Sequence, residues 1–123
     1  MPHLTVEYSA NLTGFPVATV LKELNDSLCA SGEVKEEADL KSRAVAHHDV
    51  LIGTAGGERG FVFVTLRLLA GRTADAKAAL GERIAAVLRQ HTPRPAGMMV
   101  QLSVEMVDMD RASYVKERLP GAH

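Results

Sequence analysis

The chain has 123 residues, of which 46% are hydrophobic and 24% are charged, and its formal net charge is −1. This balance predicts one globular domain over residues 1–123, and the lack of a lysine and arginine block argues against nucleic acid as a partner. A single cysteine, no signal-peptide pattern and no apolar run long enough to cross a bilayer predict a cytoplasmic protein with no membrane partner.

The first half of the chain predicts a strand, a helix and a second strand. Residues 2–8 alternate between apolar and polar side chains, which is typical of a strand with one buried face. Apolar residues at helical spacing from Val17 to Leu28 predict a helix over about 15–30, with Gly32 as its C-terminal cap. An acidic loop follows, and a second strand is predicted over about 41–52.

The second half repeats this order after a glycine-rich segment. We interpret Gly53–Gly60 as a hairpin loop, because it lacks the GK[ST] sequence of a phosphate-binding loop and leads into a strand. A third strand is predicted over about 61–69, a second helix over about 74–91 and a fourth strand over about 99–107. The polar tail, residues 110–123, is expected to form a short helix or a docking arm.

This order predicts an α+β fold of two duplicated β-α-β units. Strands crossed by a helix are expected to be parallel, so two units joined edge to edge give a four-stranded sheet with both helices on one face. The opposite face then carries a mixed set of residues: Thr5, Glu7, Thr65, Arg67, Gln101, Ser103 and Glu105. We expect that face to be either solvated or buried in an oligomer.

Two groups of side chains belong to residue types that bind metals or attack substrates, but their surroundings argue against both roles. His47, His48 and Asp49 have no further ligand at a useful spacing, so a surface or interface position is expected and no metal is predicted. Cys29 has no neighbouring His, Lys or Arg in the sequence to stabilise a thiolate. It is therefore expected to be a packed thiol and not a nucleophile.

Pro2 is a candidate catalytic residue. Removal of Met1 is common before a small second residue, and it would leave a secondary amine at the N-terminus. Burial and nearby cations would lower the pKa of that amine, so that it acts as a general base near neutral pH. The alternative is that proline occupies this position by chance.

Lys41 and Arg43 are the candidate cations. They lie two residues apart on a predicted strand and so share a face. Arg43 is suited to bind a carboxylate of an anionic substrate through two hydrogen bonds. The alternative is a solvated basic edge that discourages strand pairing.

Four segments together resemble a known family: PHLTVEYSANL, LKSRAVAHHD, FVFVTLRLLAGR and LSVEM. Their order and spacing, over nearly the whole chain, are similar to 5-carboxymethyl-2-hydroxymuconate isomerase, a tautomerase-superfamily member like 4-oxalocrotonate tautomerase and macrophage migration inhibitory factor. The resemblance implies a tautomerase-like fold, a homotrimer, Pro2 as catalytic base, and Lys41 and Arg43 as substrate-binding residues. Two positions depart from the pattern: Lys41 replaces an arginine, and residues 12–14 lack an arginine that relatives often carry.

The implied reaction is the ketonisation of a 2-hydroxymuconate-type dienol, with 5-carboxymethyl-2-hydroxymuconate as the expected substrate, in aromatic catabolism. Pro2 would carry the proton, while Arg43 and Lys41 would hold carboxylates and stabilise negative charge on the 2-oxygen. No cofactor is expected, because the 2-oxo acid is itself the electron sink. Two alternatives stay open: another enzyme of the superfamily (a tautomerase, dehalogenase or hydratase), or a non-catalytic trimeric binding module.

Overall fold

The computed structural model describes residues 1–121. The main elements are β1 (His3–Ser9), α1 (Val17–Ala30), β2 (Lys41–His47), β3 (Arg59–Leu69), α2 (Ala74–His91) and β4 (Met99–Met109). A short 3₁₀ helix, Glu37–Asp39, lies within the acidic segment that the sequence predicts as a loop.

The four strands form one sheet in the order β2-β1-β3-β4. β1 is parallel to β2, β3 is parallel to β4, and β1 and β3 pair antiparallel at the centre. Both helices pack on one face, where Leu24 and Ile84 share a core with Val6 and Val64. The predicted α+β fold with two β-α-β units and both helices on one face is confirmed.

The glycine-rich segment Gly53–Gly60 is a loop up to residue 58, where β3 follows, and it is not a hairpin. β1 lies between β2 and β3, so this connection runs past β1 and does not join neighbouring strands. Gly53 and Gly57 have φ angles of +71° and +119°, which suit glycine. The prediction of a turn is therefore right and the prediction of a hairpin is wrong, because glycine content indicates a turn without indicating which strands pair.

β2 ends at His47, earlier than the predicted boundary near residue 52. His47 pairs with Ser9, the last residue of β1, so no partner strand continues beyond it. The helix ends match the sequence more closely. Gly32 follows α1 with a φ of +84°, and Thr73 Oγ1 accepts a hydrogen bond from the Ala76 N–H at 3.1 Å.

The chain after β4 forms the predicted docking arm and not the predicted helix. This tail segment, residues 110–121, has a turn at 111–113 and then continues without helix or strand. It contacts the N-terminal end of β1. The last two residues of the predicted tail, 122 and 123, lie outside the described residues. Within residues 1–121 no helix is long and apolar enough to cross a membrane.

Candidate active site

A cavity of about 250 Å³ lies at the end of the sheet where β1 begins. Its lining residues are Met1, Pro2, Glu33, Val34, Lys35, Leu68, Leu69, Arg72 and Arg111. They come from the start of β1, the loop after α1, the end of β3 and the tail segment. Because β3 runs antiparallel to β1, its last residues lie beside the first residues of β1, which gathers distant parts of the sequence around Pro2.

Pro2 is buried in the wall of this cavity. Its carbonyl oxygen accepts a hydrogen bond from the Lys41 backbone N–H at 3.1 Å, which anchors it to the start of β2. With Met1 attached, the Pro2 nitrogen is part of a planar amide and cannot accept a proton. The predicted role of Pro2 as a base therefore requires that Met1 be removed, which leaves a secondary amine in the cavity wall.

The pKa of the Met1 amino group reflects the burial and the charges at this end of the sheet. It lies 3.8 Å from Asp39 Oδ2. Burial lowers the pKa of this amino group, Asp39 opposes that change, and the charges of Lys41 and Lys116 lower the pKa further. A terminal amine in this environment loses its proton more readily than one in water.

Arg72 is the most firmly held cation of the cavity. Its Nε donates to Glu33 Oε1 at 2.9 Å, and Nη2 donates to the Glu33 carbonyl oxygen at 2.9 Å. Nη1 donates to the Leu69 carbonyl oxygen at 3.0 Å. A guanidinium has five N–H donors, so these bonds leave one N–H on each terminal nitrogen for a carboxylate ligand.

Arg111 and Lys35 add positive charge to the same cavity. Arg111 Nε donates to the Ala70 carbonyl oxygen at 2.6 Å, which holds the start of the tail segment against the turn after β3. Gly71 in that turn has a φ of +126°, where a larger residue would be strained. Glu33 is the one carboxylate among the lining residues, so the cavity suits an anionic ligand.

Arg43 lies in a neighbouring recess and does not line the Pro2 cavity. The recess has a volume of about 510 Å³ and is lined by His3, Arg43, Arg67, Asp108, Met109, Asp110, Ser113 and Tyr114. Arg43 is exposed, and its Nη2 lies 3.1 Å from His3 Nδ1. Within one chain, the structure brings Pro2 together with Arg72 and places Arg43 on the far side of His3.

Lys41, the second predicted cation, lies beside the N-terminus. Its ammonium donates to the Asp39 carbonyl oxygen. Burial lowers the pKa of His3, and the charges of Lys41 and Arg43 lower it further. Lys41 therefore acts on the titratable groups near Pro2 mainly through its charge.

The spacing arguments assign no role to Arg72 or Arg111. A signal for Arg72 was present, because an arginine just after a strand antiparallel to β1 must lie near the start of β1. Arg111 carries no comparable signal, since its position depends on the path of the tail segment. The histidine and cysteine candidates of the sequence make ordinary side-chain contacts. His47 Nε2 lies 3.0 Å from Glu7 Oε1, and Cys29 packs against the core.

Metal-ligating side chains do not converge in the described part of the chain. Among residues 1–121, no three His, Cys, Asp or Glu side chains come together in a group that would hold a metal ion. His123, which lies far from the other histidines in the sequence, falls outside the described residues.

Comparison with known proteins identifies one family. The model of the 5-carboxymethyl-2-hydroxymuconate isomerase family matches residues 2–119. No curated protein matches the sequence. Among solved structures, a 5-carboxymethyl-2-hydroxymuconate isomerase from Deinococcus radiodurans R1 is 27% identical with a TM-score of 0.85, over 96% of this chain and 90% of that chain.

Two further solved structures share the fold. A 5-carboxymethyl-2-hydroxymuconate delta-isomerase is 22% identical with a TM-score of 0.66, over 98% of this chain and 89% of that chain. A fused wild-type 4-OT symmetric trimer is 21% identical with a TM-score of 0.65, over 89% of this chain and 87% of that chain. At these identities the likeness concerns the arrangement of helices and strands.

Proposed function

The chain belongs to the 5-carboxymethyl-2-hydroxymuconate isomerase family and is an isomerase of the tautomerase kind, and we propose that it ketonises a 2-hydroxymuconate-type dienol carboxylate in aromatic catabolism. The first candidate substrate is 5-carboxymethyl-2-hydroxymuconate. One observation carries the proposal: a buried Pro2 shares a cavity with Arg72, which has N–H groups left for a carboxylate. Proton transfer on an anionic enol requires a buried base close to a cation that is held in place.

Pro2 acts as the proton carrier in this mechanism. After Met1 is removed, the Pro2 amine experiences the burial and the cations that lower the pKa of the Met1 amino group. The neutral amine takes the enol proton, and the electrons of that O–H bond form the 2-oxo group. The protonated amine then delivers the proton to a carbon at the far end of the conjugated system, so the proton count balances within one turnover.

The cations have different roles in substrate binding and charge stabilisation. Arg72 binds one substrate carboxylate through its two remaining N–H groups, and Arg111 and Lys35 attract the anion into the cavity. Arg43 stays in the proposal as a catalytic and substrate-binding residue that stabilises negative charge from the neighbouring recess. Lys41 supports substrate binding and favours the neutral form of the amine.

We further propose that the protein assembles as a homotrimer. Several large apolar side chains are exposed in the single chain, among them Leu51, Val115 and Leu119 at 87%, 82% and 84%. Val45 and Met99 are also exposed on the two edge strands, where pairing between copies would bury them. A protein with the same fold is a symmetric trimer. Light scattering that gives a monomer at micromolar concentration would contradict this assembly.

No cofactor enters the proposed reaction, because the 2-oxo acid delocalises the negative charge of the intermediate. The single cysteine is consistent with action in the reducing cytoplasm. We treat residues 1–123 as one functional domain. The helices, the sheet and the cavity share one core, which supports this assignment.

A direct assay tests the proposed function. Processed protein, with loss of Met1 verified by intact mass, is mixed with the dienol, and loss of its ultraviolet absorbance is followed against the uncatalysed rate. Phenylenolpyruvate, a simple enol, serves as a second substrate. Turnover of both supports the proposal, turnover of phenylenolpyruvate alone indicates another superfamily activity, and folded protein that accelerates neither is a binding module.

A further inference from the structure

Three hydrogen bonds link Arg43 to the peptide bond that precedes Pro2. Arg43 Nη2 lies 3.1 Å from His3 Nδ1. His3 Nε2 lies 2.9 Å from the Tyr114 hydroxyl oxygen. The Tyr114 hydroxyl in turn donates to the Met1 carbonyl oxygen at 3.4 Å. This chain of contacts runs from the recess to the Pro2 cavity.

The direction of donation along this chain follows from its first member. A guanidinium only donates, so His3 Nδ1 must accept from Arg43 and carries no proton. Burial lowers the pKa of His3, and the charges of Lys41 and Arg43 lower it further, which favours the neutral ring. The ring proton then lies on Nε2 and is donated to the Tyr114 oxygen, which leaves the Tyr114 O–H for the Met1 oxygen.

The end of the chain lies where the reaction takes place. The Met1 carbonyl oxygen is two bonds from the Pro2 nitrogen. Removal of Met1 vacates this space, and a substrate oxygen that exchanges a proton with the Pro2 amine must come within hydrogen-bond distance of the Pro2 nitrogen. The Met1 carbonyl oxygen lies beside that nitrogen, and the Tyr114 hydroxyl donates a hydrogen bond towards it.

We propose that Tyr114 is a further catalytic residue, whose hydroxyl donates a hydrogen bond to the substrate oxygen that loses its proton to Pro2, and that His3 and Arg43 position it. This inference rests on the proposed function. Negative charge grows on that oxygen as the proton leaves, so a donor fixed in advance stabilises the transition state more than the bound enol. The Arg43 charge at the far end polarises the chain and strengthens the last bond.

The tail segment fastens Tyr114 in this position. Just beyond it, Lys116 Nζ donates to Asp39 Oδ1 at 2.6 Å, and Arg118 Nη2 donates to the same oxygen at 2.8 Å. The Tyr114 ring meets His3 edge-on, with centroids 6.1 Å apart. The docked tail thus places the Tyr114 hydroxyl beside the Met1 carbonyl oxygen.

The test compares processed Tyr114→Phe with wild type on the substrate that wild type turns over. The phenylalanine keeps the ring and removes only the hydroxyl, so we expect kcat to fall roughly 10-fold or more with little change in KM. A pair of variants at His3 adds a readout that packing alone does not move. His3→Gln keeps an N–H near the Nε2 position and should restore part of the rate that His3→Leu loses.

Tyr8→Phe is the matched control, because Tyr8 is the other of the two tyrosines in the chain and stacks on Phe15 at a centroid distance of 4.5 Å. Its activity should equal that of wild type. A Tyr114→Phe protein with unchanged kcat, or with a change confined to KM, would overturn the inference and leave the proposed function standing. Inactive wild type would overturn both, and equal losses in His3→Gln and His3→Leu would overturn the positioning role of His3.

Discussion

The Pro2 cavity and the Arg43 recess lie side by side at one end of the sheet, yet they hold their arginines differently. Arg72 has a side chain that is 21% exposed and is fixed by three hydrogen bonds. Arg43 is exposed on an edge strand. Within residues 1–121, the only side-chain hydrogen bond of its guanidinium is the one to His3. Spacing along a strand therefore identifies cations that share a face of the sheet. Whether an arginine side chain is held in a fixed orientation depends instead on the loops that contact it.

The largest expected effect comes from blocking the Pro2 nitrogen. An N-terminal extension that retains Met1 keeps this nitrogen as an amide, so turnover should fall to the uncatalysed rate while circular dichroism stays unchanged. Pro2→Ala with Met1 removed keeps a terminal amine and should retain weak activity, with a shifted acid limb of kcat/KM. Full activity in protein whose intact mass includes Met1 would exclude Pro2 as the base.

Loss of the cavity arginine should have the next largest effect. Arg72→Ala should lower kcat/KM by roughly 10- to 100-fold, because a charge-assisted bond to a carboxylate is lost. Arg72→Lys should recover only part of this loss, since an ammonium lacks the planar fork. Arg83→Ala is the control, as Arg83 is exposed on α2 and donates to the Ser27 carbonyl oxygen. Equal rates for Arg72→Ala and Arg83→Ala would remove Arg72 from the site.

Arg43→Ala distinguishes two roles of Arg43 by whether KM or kcat changes. A clamp on a substrate carboxylate predicts a higher KM, whereas the hydrogen-bond chain through His3 predicts a lower kcat. In either case we expect a fall in kcat/KM of roughly 10-fold, below that of Arg72→Ala. Lys41→Ala should have a smaller effect because Lys41 acts through its charge. Negligible effects of both changes would favour the solvated basic edge.

The smallest effect concerns the pH dependence of tail docking. Hydrogen bonds from Lys116 and Arg118 hold the pKa of Asp39 well below its usual range. A carboxyl whose pKa falls on folding contributes stability above its unfolded pKa of about 3.9, and this stability is lost as pH falls towards the folded pKa. The melting temperature of wild type should therefore exceed that of Asp39→Asn at pH 5–8.

That difference in melting temperature should shrink below about pH 4. Asp26→Asn provides the control, because Asp26 pairs with Lys22 on an exposed helix face and should change the melting temperature little. A difference between wild type and Asp39→Asn that widens in acid would contradict the assigned pKa direction.

Local patterns predict the fold well, while the site depends on contacts between distant segments. Strand alternation and helical spacing are local, and they identify all four strands and both helices. The pairing of strands is not local, which is why Gly53–Gly60 is misread as a hairpin. Pro2 stands out by its position, but the sheet register brings Arg72 into its cavity and the docked tail brings Tyr114 to the Met1 carbonyl oxygen.

The docked tail also sets an order of events during biosynthesis. Asp39 binds Lys116 and Arg118, which are synthesised after it, and Tyr114 lies against the Met1 carbonyl oxygen. Chains begin to fold from the N-terminus while synthesis continues. Met1 is therefore uncovered as long as the tail is still inside the ribosome, and the removal of Met1 that the proposed mechanism requires would precede closure of the tail over the new N-terminus.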